Sequence, residues 1–357
     1  MKIGVHRLYA MQMFLQDEKI VLNDIKVMQL PKRVLTILFL FTVGITYGQG
    51  LLPKLGEQRA GTAAVTFLKI GVGARAVSMG GAYVAMANDG TAMMWNPAGL
   101  VQIGKNELVV SHLDWLVDVN YEYLGYVHQV TGFLGIGAFV GYLHLADMPV
   151  TTEYHPYGNG EYFGYNDMVS GITTSIKMTD RFSFGMTLKY VREDLADLSM
   201  DGLMFDLGTW YWTGYKTLRI AASMRNFGTD LRPGGTYMRR QAGGITKSNY
   251  ESFSPPTIFT LGAAMDVYHT GHHVFTAAMQ MNHPMDDQEN FVIGSEYRYR
   301  GMFALRGGYL SNMDENKWTF GAGAKLNLYG KILKLDYSYA DFNHLSMTQQ
   351  FTFGFEF

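Results

Sequence analysis

From Glu107 to Phe357 the chain alternates apolar and polar residues in short runs. In one run Phe182, Phe184, Met186, Leu188 and Tyr190 fall in one phase, and Ser183, Gly185, Thr187 and Lys189 in the other. Trp318, Phe320, Ala322, Ala324 and Leu326 oppose Thr319, Gly321, Gly323, Lys325 and Asn327, and Leu333, Leu335, Tyr337 and Tyr339 oppose Lys334, Asp336 and Ser338. A period of two is the mark of a strand with one apolar face. Fourteen such segments are expected, near 107–115, 121–130, 133–143, 166–176, 182–192, 200–212, 217–226, 257–267, 272–281, 289–299, 302–310, 318–327, 331–340 and 348–357. Most approach the roughly 9–11 residues that a tilted strand needs to cross a bilayer.

The connections separate a membrane barrel from a soluble sandwich. Thr131-Gly132, Lys177–Arg181, Thr213–Lys216, Tyr268–Gly271, Arg300-Gly301 and Leu328–Gly330 are tight. They alternate with a generally longer set: Leu116–Asn120, His144–Tyr165, Glu193–Ser199, Phe227–Pro256, Asn282–Gln288, Ser311–Lys317 and Asp341–Met347. Short turns on one rim and longer loops on the other describe an all-β, 14-stranded antiparallel transmembrane barrel, with both barrel ends on the periplasmic, short-turn rim. In the last segment Phe351, Phe353, Phe355 and Phe357 share one face against Thr352, Gly354 and Glu356. That face would be an aggregation hazard in water and is the expected face against lipid. Trp115, Tyr121, Tyr123, Trp210, Tyr211, Trp212, Tyr297, Tyr299 and Trp318 stand near segment ends and are expected to form interfacial girdles.

Composition supports the same class. Only 17% of residues are charged against 14% aromatic, with 41 Gly and a formal charge of −2. Soluble domains carry about 25% charged residues. A mean hydropathy of −0.02 does not suit a helical membrane protein, and the near-neutral charge argues against nucleic acid as a partner. The absence of Cys removes disulfides, zinc-thiolate sites, a Cys nucleophile and a lipidated Cys. The run Val34–Ile45 is too short to span a bilayer; Lys32-Arg33 precedes it and Thr46-Tyr47-Gly48 follows. That is a signal peptide pattern, with cleavage expected after Gly48. Met28 is the expected start, so 1–27 reads as an over-extended N-terminus, 28–48 as signal peptide, 49–106 as an N-terminal plug segment and 107–357 as the barrel.

Residues 61–106 lack strand character and are rich in Gly, Ala and Met. So short a segment cannot fold alone, and its small residues suit close packing inside a barrel. Thr62–Ile70 is expected to be a short helix or an extended arm, and Asn96-Pro97 a turn that redirects the chain toward the first strand. Arg75 would need a carboxylate in the lumen; the inward-phase candidates are Asp206, Glu296, Asp336 and Glu356, with Asp89 nearer in sequence.

The stretch GARAVSMGGAYVAMANDGTAMMWNPAGL, Gly73 to Leu100, with the lead-in Phe67-Leu68-Lys69-Ile70, resembles the N-terminal signature of the PorV/PorQ family of outer-membrane proteins. The motif positions are Gly73, Arg75, Met79, Gly80, Gly81, Asp89, Trp95, Asn96, Pro97, Ala98 and Gly99. Gly99-Leu100 stands where PorV proper continues Lys-Tyr, and Trp95 where PorQ has no Trp, so a generic member is expected. The resemblance implies a FadL-like barrel with an N-terminal hatch in a Gram-negative outer membrane. It also implies a cargo-binding or shuttle role in type IX secretion, with the translocon or secreted cargo proteins as partners beside outer-membrane lipid and the barrel-assembly machinery. The terminal Phe likewise resembles a barrel-assembly signal.

No enzyme signature emerges. Gly135, Gly137 and Gly141 miss the dinucleotide spacing and share one strand face, so they read as lumen-facing. His269, His272, His273 and His283 read as turn residues, and neither a metal nor a cofactor is expected. The shuttle reading makes Leu116–Asn120, His144–Tyr165 and Phe227–Pro256 a docking surface, with Tyr154, His155, Pro156, Tyr157, Tyr162 and Phe163 as its aromatic stretch. The alternatives are a FadL-like transporter of hydrophobic molecules, which needs an apolar path beside the plug, and a structural barrel with no substrate.

Overall fold

A computed structural model describes residues 61–241, 244–312 and 317–357. The expected leader, start and cleavage site, and residues 49–60 of the expected plug segment, lie outside the described residues. Among the described residues eighteen strands occur, and fourteen of them close a barrel. The barrel strands are β1 (Glu107–Asp114), β2 (Asn120–Thr131), β3 (Leu134–His144), β6 (Tyr165–Lys177), β7 (Phe182–Leu195), β8 (Leu198–Trp212) and β9 (Arg219–Gly228), followed by β12 (Ile258–Thr270), β13 (His273–Pro284), β14 (Asn290–Tyr299), β15 (Phe303–Leu310), β16 (Trp318–Leu328), β17 (Lys331–Asp341) and β18 (Met347–Glu356). Two hairpins stand in the loops: β4 (Met148–Pro149) with β5 (Tyr162–Phe163), and β10 (Thr236–Gln241) with β11 (Gly244–Asn249).

Every barrel pair is antiparallel between sequence neighbours, and β1 pairs β18 to close the ring, Glu107 opposite Glu356. The Phe357 amide donates to the Asn106 carbonyl at 3.0 Å, so both barrel ends share the short-turn rim. Closure gives each of the fourteen barrel strands a partner on both sides, which a spanning sheet requires because lipid offers no hydrogen bonds.

The alternation sorts the two faces. Phe351, Phe353 and Phe357 are exposed outside while Thr352, Gly354 and Glu356 face inward. Ser183, Gly185, Thr187 and Lys189 are buried, with Met186 and Leu188 outside. Tyr211, Tyr297 and Tyr299 lie outward near the short-turn rim and Trp318 near the long-loop rim, as two aromatic belts would, whereas Trp212 has the opposite phase to Tyr211 and donates to the Lys216 carbonyl of the turn at 3.0 Å. Tyr121, Tyr123 and Trp210 do not join them. They share the inward phase of Val127 and Gly208, and the Tyr123 hydroxyl donates to the Gly90 carbonyl at 3.0 Å.

One loop also departs from expectation. Glu193–Ser199 is not an open loop, because β7 and β8 pair as far as Leu195 opposite Leu198. The turn is Ala196-Asp197, with Ala196 at φ 51°, and the hairpin rises as a paired ribbon. Its charged and polar residues read as loop because a strand above the bilayer needs no apolar face.

Candidate functional site

Residues 61–106 lie inside the barrel, and their side chains form most of the apolar core. The segment holds a one-turn 3-10 helix (Thr66–Lys69), two helical turns (Ala74–Val77 and Ala92–Trp95) and a second 3-10 helix (Pro97–Gln102). These turns are too short to be stable alone; the barrel wall holds them. The Ala64 amide donates to the Ser254 carbonyl at 3.1 Å, and the Val65 amide to Glu193 at 3.1 Å. Lys69 pairs with Asp286 at 2.6 Å. Ser254, Glu193 and Asp286 all belong to long-loop connections or strand ends, so the described segment begins near that rim. It descends to Asn106 and enters β1 at the short-turn rim.

Glycines on the wall make room for the descent. Gly185 of β7 lies directly opposite Gly208 of β8. A Cβ on Gly185 would stand 2.3 Å from the Pro97 carbonyl carbon, and one on Gly208 2.1 Å from Asn96 Oδ1. Asn96-Pro97 sits in that notch. Its turn therefore differs from expectation: Asn96 caps the 3-10 helix, its Oδ1 accepting from the Ala98 amide at 3.1 Å, and its Nδ2 donates to the Val84 and Thr209 carbonyls. The redirection toward β1 comes later, around Gly104 at φ +73°. Across the lumen, Met79 and Gly80 lie on Gly294 and Gly308, and Gly137 accommodates Met93.

The remaining motif residues hold the segment's own shape. Gly73, Gly80 and Gly81 have φ of 92°, 67° and 85°, which side-chain-bearing residues rarely adopt. Trp95 donates to the Val72 carbonyl at 2.7 Å and packs edge-on against Tyr83. A Cβ on Gly99 would stand 2.1 Å from the Ala87 carbonyl oxygen, and Ala98 is fully buried.

Arg75 finds its carboxylates in Glu296 and Asp89. Nε and Nη2 donate to Glu296 at 3.0 and 3.2 Å, and Nη1 lies 3.5 Å from Asp89 while donating to Asn88 at 2.6 Å. The other candidates serve wall cations: Asp206 pairs with Lys189 at 2.6 Å, Asp336 with Arg306 at 2.6 Å, and Glu356 with Lys334. Glu296 is itself shared with Arg306 at 2.8 Å and Arg298 at 3.3 Å, and Lys334 bonds Glu107 at 2.9 Å. Arg306, Lys334, Glu107 and Arg225 were not singled out from sequence, although all are charges within strands, where lumen-facing phase is the available signal.

Asp89 also accepts from the Thr91 hydroxyl at 2.5 Å and from the Tyr83 hydroxyl. Burial favours its neutral acid, but Arg75, then Lys334, and the two hydroxyls outweigh it and hold the carboxyl below the usual carboxylate range. Ionised Asp89 therefore contributes fully above its unfolded pKa of about 4, and the contribution is lost as pH falls through the lower folded value. Protease resistance of residues 61–106 in purified protein should stay flat from about pH 8 to about pH 5. A loss setting in near pH 6 would contradict this assignment.

The segment divides the lumen. Above it a bowl of about 540 Å³ opens on the long-loop side, lined mainly by apolar side chains including Phe67, Ile70, Trp95, Leu113, Leu143 and Leu310. Below it a cavity of about 300 Å³ is lined by Arg75, Asp89, Glu296, Arg306, Lys334 and other polar groups. The two share no lining residue.

The expected docking residues belong to the loop between β3 and β6. Tyr154 and Tyr157 are 88% and 97% exposed, with His155 and Pro156 between them. Tyr162 and Phe163 stand lower, as strand β5. Of the four histidines, His273 bonds the Tyr297 hydroxyl and His283 bonds Glu289, each at 2.7 Å.

Solved structures share this architecture. The Pseudomonas putida toluene transporter TodX superposes with a TM-score of 0.53 at 15% identity, over 80% of this chain and 97% of that one. The Ralstonia pickettii toluene transporter TbuX gives 0.51 at 16% identity, over 80% and 97%. A Pseudomonas aeruginosa FadL homologue gives 0.51 at 11% identity, over 86% and 98%. At such identities the likeness is one of fold: an outer-membrane β-barrel of FadL type. No curated protein matches the sequence. The family model described as "Type IX secretion system protein PorV" matches residues 54–283, which is more than half of the chain. The chain belongs to the family of the type IX secretion system protein PorV.

Proposed function

We propose that this protein is a docking barrel of type IX secretion, which receives an exported or translocon protein on its long-loop rim at the cell surface. Residues 61–106 act as its plug, and the short-turn rim faces the periplasm. The observation that carries this reading is the blind bowl: it opens among the long loops and is floored by the segment, with no lining residue in common with the cavity beneath. An occupant is held at the surface and not passed through. The exposed aromatic tip at Tyr154–Tyr157 supplies contact area of the kind that dominates interfaces.

Deleting residues 151–160 removes that tip and leaves the β3–β6 pairing in place. Surface-attached exported proteins should fall at least several-fold in such a strain, with the barrel at normal abundance in the outer membrane. Unchanged surface proteins would reject the docking role. The terminal aromatic face Phe351, Phe353, Phe355 and Phe357 is assigned to barrel assembly. The apolar lining of the bowl favours a second reading, uptake of hydrophobic molecules. That reading requires the segment to move aside, and predicts lowered uptake of a hydrophobic tracer in a deletion strain.

A further inference from the structure

The two rims of the barrel differ in charge. The short-turn rim comprises residues 131–133, 177–181, 213–218, 270–272, 300–302 and 328–331, with the entry to β1 at 105–106. It carries Lys105, Lys177, Arg181, Lys216, Arg300 and Lys331 against one carboxylate, Asp180. Glu107 and Glu356 adjoin this rim but are buried in the lumen, where both pair with Lys334. Among the described residues none of the six cations has a carboxylate within ion-pair distance; Lys105 donates to the Gly330 carbonyl at 3.3 Å. Lys177 is half-buried and the other five are exposed. Two of the long connections run the other way: 145–164 and 285–289 hold six carboxylates and neither Lys nor Arg.

The charges of the short turns come with exposed apolar side chains. Met178 follows Lys177, Tyr215 precedes Lys216, Met302 stands two residues after Arg300, and Leu328 and Tyr329 precede Lys331; all five are exposed. Three of the cations lie over aromatic rings: Lys216 at 5.7 Å from the Tyr215 centroid, Arg300 at 5.3 Å from Tyr299 and Lys331 at 5.7 Å from Phe355. Tyr299 and Phe355 belong to the outward phase, so these charges stand on the lipid-facing perimeter at the level of the aromatic belt. An apolar tip settles at the boundary of headgroups and acyl chains, while the long stems of Lys and Arg carry their charge to the phosphate layer. A leaflet with anionic headgroups attracts such a set of cations. The four basic turns join β6 to β7, β8 to β9, β14 to β15 and β16 to β17, so they are spread around the ring. A soluble partner would have to cover the whole rim to meet them and would strand the apolar tips between its contacts, whereas lipid reaches every turn at once.

We propose that the short-turn rim is a collar for anionic phospholipid, in which Lys216, Arg300 and Lys331 hold headgroup phosphates of the adjacent leaflet beside Tyr215, Tyr299 and Phe355. The inference goes beyond the docking reading and does not depend on it; the orientation proposed above makes that leaflet the periplasmic one. The test offers the whole protein, in non-ionic detergent, equal amounts of phosphatidylglycerol and phosphatidylcholine with the same acyl chains, and counts the retained lipids by native mass spectrometry. Phosphatidylglycerol should be retained about threefold or more over phosphatidylcholine. The triple variant Lys216→Gln, Arg300→Gln, Lys331→Gln should bring the ratio close to one, and the charge-keeping set Lys216→Arg, Arg300→Lys, Lys331→Arg should preserve it. Lys247→Gln with Lys317→Gln, exposed cations of the long-loop side, should also preserve it. All variants should migrate as folded barrels on unheated gels. Equal retention of the two lipids by the wild type overturns the proposal, as does an undiminished preference in the triple glutamine variant. Displacement of the lipid by an equal concentration of glycerol 3-phosphate overturns it too, and assigns the cations to free phosphate. Retention of a glutamate decapeptide in place of phosphatidylglycerol overturns it as well, and assigns the rim to an acidic protein segment.

Discussion

Replacing Glu296 with alanine will release residues 61–106 from the barrel wall. Glu296 is fully buried and is the hub of three guanidiniums, Arg75, Arg306 and Arg298. Without it, among the described residues, the one carboxylate left to Arg75 is Asp89, at 3.5 Å, and the one left to Arg306 is Asp336. Breaking a buried ion pair from one side costs about 3–5 kcal/mol, because the stranded charge remains desolvated. That amount rivals the stability of many whole domains. The loss should fall on the segment, since the wall is held by a closed ladder of backbone hydrogen bonds and the segment is not. Limited proteolysis should cut the variant between residues 61 and 106 under conditions where the wild type is resistant, while the barrel still migrates as folded. Arg75→Met should be milder, because Glu296 then retains two arginines and Asp89 keeps the Tyr83 and Thr91 hydroxyls. Equal resistance of Glu296→Ala and wild type would remove this cluster as the segment's anchor.

A second large effect is expected at the glycine notch. Valine at position 185 would place its Cβ 2.3 Å from the Pro97 carbonyl carbon and 2.4 Å from the Ala98 amide nitrogen. Those are backbone atoms and cannot swing aside. The strand itself favours a β-branched residue over glycine. The two consequences therefore separate: β7 pairs at least as well, while the Asn96-Pro97 turn is driven off the wall. Asn96 then loses its bond to the Thr209 carbonyl and leaves buried polar groups unpaired. Protease resistance of the segment should fall to a degree comparable with Glu296→Ala, and the melting temperature of the barrel should hold. Gly307→Ala is the control, since a Cβ there meets nothing nearer than 3.9 Å. If Gly185→Val leaves the segment protected, the notch is not what seats it.

These variants also separate two uses of the bowl. A docking surface needs the floor in place, so loosening the segment should weaken a partner's hold. A transport path needs the floor to move, so the same change should speed entry of hydrophobic molecules. The sign of the change in each assay is therefore informative.

Period-two alternation fixed the strand number, the two faces and the lumen phase of Lys189, Asp336 and Glu356, because a strand between lipid and lumen admits one apolar face. Alternating connection lengths fixed the two rims. The motif from Gly73 to Gly99 indicated close packing, which small residues and left-handed glycines require. Which inward carboxylate would meet Arg75 was not legible. Asp206, Glu296, Asp336 and Glu356 share a phase on four strands, and their order around the lumen depends on how the closed barrel and the descending segment align. Tyr121 and Tyr123 read as belt residues because aromatic type and position near a strand end do not reveal phase. The hydrogen bond of Tyr123 to the segment's Gly90 carbonyl shows what their inward turn serves. The β7–β8 ribbon was hidden because a strand clear of the membrane keeps its ladder without an apolar face. Arg225 was hidden for a similar reason: a lone arginine in a strand is legible as a charge, but only closure places it over Trp95 at the floor of an apolar bowl, with no carboxylate within ion-pair distance among the described residues.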